Sequence, residues 1–334
     1  MRVPGSGSLT VVSLLLMVLV AGGAALALAA CGGSSAAPPP ATPASMPSVS
    51  SSAGASAGGA TPVATPTTMA EVTAAYFDAL SKVDNIIGFR RMVSLYAEDA
   101  HFEDRAMGVI ADGRKAIADN FNTIFLAGPL KATSLTRLVG SEWAVVEEMG
   151  SAGGGRVYGA DILHVRDGKI VTAYVYYNDM GSDDLKFRPA QLKTPPASAD
   201  TQAASEALGA RYMSALRSLD PSRLKPLYAR DVVYENIGRD RFYVGPQAAL
   251  AAHTKMYALK GVSFQKLSVV AGPGWAAVMW KRTDREDGKP LVDIPDWYTR
   301  WAIRPTINGV SVLEIRDGRI ARENIYCDHL RTRY

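Results

Sequence analysis

The feature that most constrains this chain is an internal repeat. Residues 95–99 (Leu-Tyr-Ala-Glu-Asp) recur with close similarity at 227–231 (Leu-Tyr-Ala-Arg-Asp), which is a separation of 132 residues. The Trp-Ala pairs that begin at Trp143 and Trp275 keep the same separation. Two copies of one pattern in a chain of 334 residues are expected to form two similar domains.

The separation changes late in each copy. Arg-Asp-Gly at 166–168 matches Arg-Asp-Gly at 316–318, and these segments are 150 residues apart. Copy two must therefore carry an insertion, which we place around 285–308. In both copies the Asp-Gly pair lies between apolar runs, and this is a strong signal for a two-residue β-hairpin turn.

Each copy is predicted to place its helices before its strands. Apolar residues recur at helical spacing over 72–83 and over 208–219. A second helix is expected to end near Tyr96 or Tyr228, and a third follows the next glycine. Strands are predicted at 143–149, 157–166 and 169–177 in copy one and at 275–283, 310–316 and 319–327 in copy two. This order is typical of an α+β domain with helices packed on one face of a sheet.

The N-terminal segment has the character of an export signal. One basic residue, Arg2, precedes an apolar stretch from Leu9 to Ala30, which ends in Leu-Ala-Ala-Cys at Cys31. This ending resembles the bacterial lipobox, so residues 1–31 are interpreted as a lipoprotein signal peptide. The resemblance implies lipidation of Cys31 and an extracytoplasmic protein that is lipid-anchored to the cell membrane. The alternative is an uncleaved transmembrane anchor, because the apolar run approaches the ~20 residues that a bilayer needs.

The rest of the chain divides into a tether and two domains. Residues 32–68 are almost entirely Ala, Pro, Ser, Thr and Gly without charge, so they are predicted to be a disordered tether. Domain 1 is expected at 69–187, a proline-containing linker at 188–203, and domain 2 at 204–334. The net charge of +4 is spread along the chain, which does not favour nucleic-acid binding.

The order of these motifs and elements resembles that of a known family. The order of helix, Tyr-Ala-x-Asp, short strand, glycine, helix, and strands with Arg-Asp-Gly-Lys/Arg-Ile resembles the SnoaL-like branch of the nuclear transport factor 2-like superfamily. The likeness extends over nearly everything after residue 69, twice. It implies two cone-shaped domains, each a curved antiparallel sheet wrapped around N-terminal helices, with a pocket at the open end. The scaffold hosts both enzymes and non-catalytic binding modules, so fold alone does not decide function.

Copy two resembles the limonene-type epoxide hydrolases of this superfamily more closely than copy one does. Those enzymes carry Tyr-x-Asn on the first strand and Arg-x-Asp on a middle strand. Copy two has Tyr234 and Asn236 in the first pattern, and Arg282 and Asp284 in the second. The resemblance implies a catalytic role for these four side chains. Alternatively, the first pair lines a polar binding pocket and the second is a surface pair at a hairpin end.

The last strand of copy two departs from the hydrolase pattern. The family places a carboxylate at the position of Ile325, and the only acid on that face is Glu323, two residues earlier. A displacement of two residues along a strand is about 6.6 Å, which is too far for direct substitution as a general base. Glu323 is therefore a weak catalytic candidate.

The remaining candidates concern ligand pockets and partners. Pocket-lining positions predicted from strand parity are Phe102, Asp104, Val175 and Tyr177 in copy one and Trp280 and Ile325 in copy two. In copy one the acids near the expected cavity are Asp104, Glu148 and Asp161, and the copy is interpreted as a scaffold or an apolar binder. The four histidines lack metal-ligand spacing, so neither a metal nor a cofactor is predicted. The two sheets are expected to pair with each other through their outer faces, with Tyr176 and Tyr326 in the contact.

Three functions remain open at this stage. The favoured one is a non-catalytic lipoprotein whose cones bind a small apolar ligand at the cell surface. The second is a SnoaL-like hydrolase, cyclase or isomerase that acts on a lipophilic substrate in domain 2. The third is a structural or partner-binding module that uses the sheet faces.

Overall fold

A computed structural model describes nine ranges of the chain, which are residues 66–82, 86–106, 108–127, 131–152, 155–180, 199–236, 241–257, 262–283 and 306–327. The predicted signal peptide, nearly all of the tether, and most of the insertion in copy two lie outside the described residues. Within them, no helix combines the length and the apolar character needed to cross a membrane.

The described part of domain 1 contains three helices and six strands. They are α1 (Met69–Leu80), α2 (Ile86–Ser94), β1 (Tyr96–Asp104), β2 (Val109–Asp112), α3 (Arg114–Ala127), β3 (Lys131–Val139), β4 (Trp143–Ala152), β5 (Gly155–Arg166) and β6 (Lys169–Met180). The N-terminus of α1 is held by a capping box, in which the Thr68 side chain accepts from the Glu71 backbone and Glu71 accepts from the Thr68 backbone.

Domain 2 repeats this order with one change. Its elements are α4 (Gln202–Ser218), β7 (Tyr228–Asn236), β8 (Arg241–Val244), α5 (Pro246–Tyr257), β9 (Ser263–Gly272), β10 (Trp275–Thr283), β11 (Thr306–Arg316) and β12 (Arg319–Cys327). Where domain 1 has α2, domain 2 has two 3₁₀ turns, Pro221–Arg223 and Lys225–Leu227. Each turn contains a proline, which cannot donate the backbone hydrogen bond that a longer helix needs.

Each domain is built on a six-stranded sheet, in the orders β2-β1-β6-β5-β4-β3 and β8-β7-β12-β11-β10-β9. The α+β class and the two-domain architecture are thereby confirmed. The sheets are mixed rather than purely antiparallel, because β1 runs parallel to β6 and β7 parallel to β12. The sequence predicts the hairpins, whereas the parallel pairs join segments about 70–90 residues apart, which no turn signal marks.

The Asp-Gly pairs form the predicted hairpin turns. Asp167 and Gly168 have φ of 52° and 70°, and Asp317 and Gly318 have φ of 53° and 68°. Positive φ at both central residues is the type I′ conformation, whose twist matches that of the flanking strands.

The strands β3 and β9 were not predicted. The pairing of β3 with β4 shifts between Ser134 and Thr136, and that of β9 with β10 shifts between Met279 and Trp280. Such bulges interrupt the alternation of apolar and polar residues by which a strand is normally predicted.

The outer faces of the two sheets contact each other. A buried cluster there draws from both domains and includes Val145, Tyr158, Ile162, Tyr176, Trp275, Met279, Val312 and Tyr326. At its centre the fully buried carboxylate of Glu147 accepts hydrogen bonds from Arg322 (2.6 Å), Asn324 (2.7 Å) and Tyr326 (2.9 Å) of domain 2. The other face of each sheet packs on the helices of its own domain, and this face carries the candidate sites.

Candidate functional site

The helix-facing sides of the two sheets present matching rows of side chains. In domain 1 the middle row crosses β4, β5, β6 and β1 at Val146, Asp161, Val175 and Asp104. In domain 2 it crosses β10, β11, β12 and β7 at Val278, Ser311, Ile325 and Asn236. The register therefore sets Ile325 opposite Asn236 and moves Glu323 one row away, opposite Tyr234.

In domain 2, Glu323 lies at the centre of a buried polar network. Its Oε1 accepts a hydrogen bond of 2.5 Å from the Tyr212 hydroxyl, and its Oε2 accepts one of 2.5 Å from the Tyr228 hydroxyl. The Nε2 atom of His253 lies 3.3 Å from Oε1 of Glu323. Glu323 and His253 are both completely buried. Helix α4, the start of β7 and helix α5 each supply one partner, so the network links the helices to the sheet.

The network continues along β11. Ser311 Oγ lies 3.0 Å from the Tyr212 hydroxyl and accepts a hydrogen bond of 3.1 Å from the Trp280 indole. The Trp280 ring is placed above Gly309, where a Cβ atom would lie only 2.2 Å from the indole. Glycine at 309 is therefore required for Trp280 to occupy the cone.

Burial controls the protonation of these groups. Desolvation first, and then the charge of Glu323, raise the pKa of Tyr212 and that of Tyr228, so both phenols stay protonated and donate. His253 Nε2 is 3.0 Å from the Tyr228 hydroxyl, while its Nδ1 has no hydrogen-bond partner among the described residues. Aromatic rings surround this imidazole, and the ring centroids of Tyr234 and Tyr257 lie 5.2 and 5.7 Å away.

Domain 1 carries its acids at different places. The Tyr76 hydroxyl of α1 donates a hydrogen bond of 2.8 Å to Asp161 Oδ2 on β5. Burial raises the pKa of Asp161 to about 7, against the smaller opposing effect of the Tyr76 hydrogen bond. Burial and the charge of Asp161 raise the pKa of Glu148 on the neighbouring strand well above its ordinary value.

The two cones thus carry different residues at equivalent positions of their sheets. Asp161 and Glu148 of domain 1 occupy the row positions of Ser311 and Trp280 in domain 2. Ala173 of domain 1 occupies the position of Glu323. Both cones therefore place an acid against a tyrosine from the first helix, but on different strands.

Most of the other predicted site residues are buried within the two domains. The buried ones are Phe102, Asp104, Tyr234, Trp280, Arg282 and Ile325, all with 5% exposure or less. The Tyr177 hydroxyl donates a hydrogen bond of 3.3 Å to Asp104 Oδ2. Val175 lies on β6 between Asp104 of β1 and Asp161 of β5, and it pairs with both. Asp284 lies outside the described residues, and of Asn236 the structure describes the backbone pairings with Ile325 and Arg241 but not the side chain.

The tyrosine partners of the acids are not among the site residues that the sequence predicts. Tyr76 and Tyr212 recur at one place in the two first helices, but their spacing was attributed only to core packing. An aromatic residue with a hydroxyl at the same place in both copies was the available signal, because a buried Tyr normally finds a hydrogen-bond partner. His253 gave no comparable signal. Among the described residues, no group of three or more His, Cys, Asp or Glu side chains is arranged to hold a metal ion.

Comparisons with solved structures find similar single domains. An NTF2-like protein of unknown function from Mesorhizobium loti is 20% identical with a TM-score of 0.31, covering 38% of this chain and 93% of its own. An LEH-like epoxide hydrolase from M. tuberculosis is 17% identical with a TM-score of 0.30, and the match covers 39% of this chain and 86% of that protein. An NTF2-like protein of unknown function from Cytophaga hutchinsonii is 13% identical with a TM-score of 0.29, and the match covers 35% of this chain and 95% of that protein. A comparison with curated proteins finds no match.

A comparison with protein families gives the assignment. The family model of the SnoaL-like domain matches residues 73–173 and again residues 210–323, which together make up more than half of the chain. Each match spans one of the two sheets with its helices. The chain therefore belongs to the SnoaL-like family and carries two such domains in tandem.

Proposed function

We propose that the chain is a lipid-anchored extracytoplasmic binding protein, and that domain 2 holds a small apolar ligand without catalysing a reaction on it. The observation that carries this proposal is the state of Glu323. Both of its carboxylate oxygens already accept hydrogen bonds, from Tyr212 and Tyr228, in a completely buried environment.

A carboxylate held in this way is poorly suited to act as a general base. A base must lie within hydrogen-bond reach of the proton that it takes from a substrate or a water molecule. If Glu323 turned towards a substrate, the hydroxyls of Tyr212 and Tyr228 would lose their carboxylate acceptor and retain the neutral neighbours Ser311 and His253. Each such loss costs about 1–3 kcal/mol. The network therefore favours a positioning role for Glu323, in which it fixes the helices on the sheet.

The surroundings of the network suit an apolar molecule. Aromatic rings from β7, β8, α5, β9 and β10 pack edge to face in two groups, which are Tyr234 with Tyr243 and Phe264 with Tyr257 and Trp280. Sites for small molecules are commonly lined by aromatic side chains with a few fixed polar groups. The unpartnered His253 Nδ1 is a polar group of that kind.

Binding is tested with N-phenyl-1-naphthylamine, a neutral apolar dye whose fluorescence rises in apolar surroundings. We expect saturable binding to the full chain and at least tenfold weaker binding to Tyr243→Ala, whose side chain is only partly buried. Phe121→Ala in domain 1 is the matched control and should leave this binding unchanged. Native mass spectrometry of the purified protein would then identify the natural ligand. Failure of the dye to bind, or equal loss in both variants, contradicts the proposal.

The membrane anchor is tested at Cys31. The Leu-Ala-Ala-Cys ending and the uncharged tether motivate the anchor. Stable attachment by lipid needs two acyl chains, so removal of the modified residue should release the protein. Cys31→Ser is expected to lose labelling by a radioactive or clickable fatty acid and to accumulate uncleaved or in the soluble fraction. A variant that stays on the membrane and is processed at the normal position contradicts lipidation.

A hydrolase, cyclase or isomerase in domain 2 is the second candidate function. The observation that favours it is the approach of His253 Nε2 to both the Tyr228 hydroxyl, at 3.0 Å, and Glu323, at 3.3 Å. Such an arrangement can move a proton between the three groups. The test is turnover of a panel of lipophilic epoxides by the full chain. Substantial turnover that Glu323→Gln abolishes, while the fold persists by circular dichroism, would place this candidate first.

A further inference from the structure

Domain 1 contains a buried acid, Asp161, and a half-buried one, Glu148, and the described residues supply neither with a positive partner. Asp161 is on β5 and Glu148 on β4, and Glu148 lies opposite Gly159, two residues from Asp161. Residues so placed are diagonal neighbours on one face of a sheet. Among the described residues, neither carboxyl forms an ion pair. The missing side chain at 159 provides room for Glu148, since a Cβ atom there would lie 3.2 Å from Glu148 Oε1.

Three polar atoms in this region lack hydrogen-bond partners among the described residues. They are Asp161 Oδ1, Glu148 Oε2 and the hydroxyl of Tyr96. Tyr96 is completely buried and comes from the start of β1, so it is independent of the two acids. A buried polar atom without a partner costs about 1–3 kcal/mol, and native proteins retain very few of them. Three such atoms together mark a place where a ligand with several hydrogen-bond donors would be stabilised.

Tyr96 faces the acids. Burial raises the pKa of Tyr96, and the charges of Asp161 and Glu148 raise it further, which requires the phenol to be near both. Its hydroxyl lies close to that of Tyr76 without reaching hydrogen-bond geometry. The ring centroids of Tyr76 and Tyr96 are 6.4 Å apart at a near-perpendicular angle.

Aromatic rings continue from this group. The Phe121 centroid lies 6.2 Å from that of Tyr96 and 5.2 Å from that of Phe102. The electron-rich faces of such rings attract organic cations, and their edges accept an apolar chain. The three unpartnered atoms therefore lie beside an aromatic cluster.

We propose that domain 1 binds a small organic ammonium ion, whose N–H groups donate to Asp161, Glu148 and Tyr96. An ammonium group carries three N–H donors and one positive charge. These match the three oxygen acceptors and the two neighbouring carboxyls that lack a cationic partner. The apolar part of the ligand packs on Phe102 and Phe121. This site lies in a different domain from the apolar-ligand site proposed for domain 2. The ammonium site does not depend on whether domain 2 binds a ligand.

The same location in domain 2 is unsuited to a cation. There Ser311 and Trp280 replace the two acids, and the one nearby acid, Glu323, is already held by two tyrosines. Domain 2 is accordingly an internal control for the proposal.

The experiment is calorimetric titration of the full chain with hexylamine, and with 1-hexanol as the neutral molecule of similar size. At pH 8 we expect hexylamine to bind at one site per chain, at least tenfold more tightly than 1-hexanol. Asp161→Asn and Glu148→Gln should each weaken hexylamine binding at least tenfold, and Glu323→Gln in domain 2 should leave it unchanged. Dye binding to domain 2 is measured on the same variants, so failure of one site is distinguished from failure of the other.

The pH dependence provides a second measurement that needs no variant. The groups that face Asp161 are Tyr76 from α1, Glu148 from β4, Tyr96 and Asp104 from β1, with Tyr177 of β6 bonded to Asp104. Since the pKa of Asp161 is raised to about 7, its carboxyl must lose a proton to pair with the ligand. Hexylamine stays protonated below a pKa near 10, as a lysine side chain does. Affinity should therefore rise about tenfold or more from pH 5.5 to pH 8.

Three results would overturn the proposal, and two of them come from the titrations at pH 8. One is equal affinity for hexylamine and 1-hexanol with the wild-type chain at pH 8. The other is hexylamine binding that Asp161→Asn does not weaken although that variant keeps its circular dichroism spectrum. Affinity that does not change between pH 5.5 and pH 8 also contradicts it, even if the variants fail to fold.

Discussion

The buried acid that contacts a helix tyrosine lies at a different position in each domain, since it is Asp161 on β5 in domain 1 and Glu323 on β12 in domain 2. Ile325 of domain 2 is 4% exposed and lies between Ser311 and Asn236, at the position where hydrolase-like relatives are expected to carry a carboxylate. Ile325→Asp should lower the free energy of unfolding by about 2–5 kcal/mol at pH 8, because an uncompensated carboxylate is buried. The loss should be smaller at pH 5, where the carboxyl is protonated, whereas Ile325→Asn should behave alike at both pH values.

The measurement for Ile325→Asp is urea unfolding at the two pH values, with epoxide turnover assayed in parallel. Turnover that appears with Asp and not with Asn would mean that the new carboxylate activates water. A variant as stable as the wild type at pH 8 would mean that the position is solvated, contrary to its burial.

Single acids also make stability depend on pH. Burial raises the pKa of Asp161 and that of Glu235 to about 7 each, from 3.8 and 4.5. The folded state therefore holds protons that the unfolded state releases, so the free energy of unfolding should fall as pH rises between about 4 and 7. We expect a fall of several kcal/mol by pH 8, measured by urea unfolding. Asp161→Asn should flatten part of this slope, and an unchanged slope would contradict the assignment.

At the scale of the element, one glycine in each sheet decides what fills the cone. A Cβ atom at Gly309 would lie 2.2 Å from the Trp280 ring, whereas one at the equivalent Gly159 would lie 3.2 Å from the end of the Glu148 side chain. A rigid indole cannot move aside as a flexible carboxylate can. Gly309→Ala should therefore destabilise the protein by about 1–3 kcal/mol through overpacking, and Gly159→Ala by clearly less. Thermal unfolding of both variants tests this, and equal effects would contradict it.

At the scale of the whole molecule, the sheets meet around one buried carboxylate. Glu147 of domain 1 accepts hydrogen bonds from three side chains of domain 2. Among the described residues, Glu147→Leu leaves the Arg322 guanidinium with Glu314 as its one remaining ionic partner, so we expect destabilisation of about 3–5 kcal/mol. Adding Arg322→Leu should recover a part of the loss, because it removes the guanidinium charge but leaves Glu314 without its ionic partner.

The measurement for this interface is unfolding followed by both tryptophan fluorescence and circular dichroism. In the wild type the two signals should change together, and in Glu147→Leu they should separate as the domains lose their shared contact. A Glu147→Leu variant that is as stable as the wild type would show that the contact contributes little.

The two-domain α+β architecture, the hairpin turns and the family could all be predicted from the sequence. Helical spacing, strand alternation and the Asp-Gly pairs arise from neighbouring residues, so a local pattern is sufficient to predict them. Bulges concealed β3 and β9 because an extra residue breaks that alternation.

The chemistry of the cones was decided only by tertiary structure. Glu323 was a weak candidate in the sequence, and its role depends on Tyr212 and Tyr228, which are 111 and 95 residues away. The acid pair of domain 1 likewise depends on Tyr76, 85 residues from Asp161, and on the register that sets Glu148 beside it. Whether a carboxyl is held by donors or left without a partner depends on groups brought together from distant segments, and no pattern of neighbouring residues encodes that.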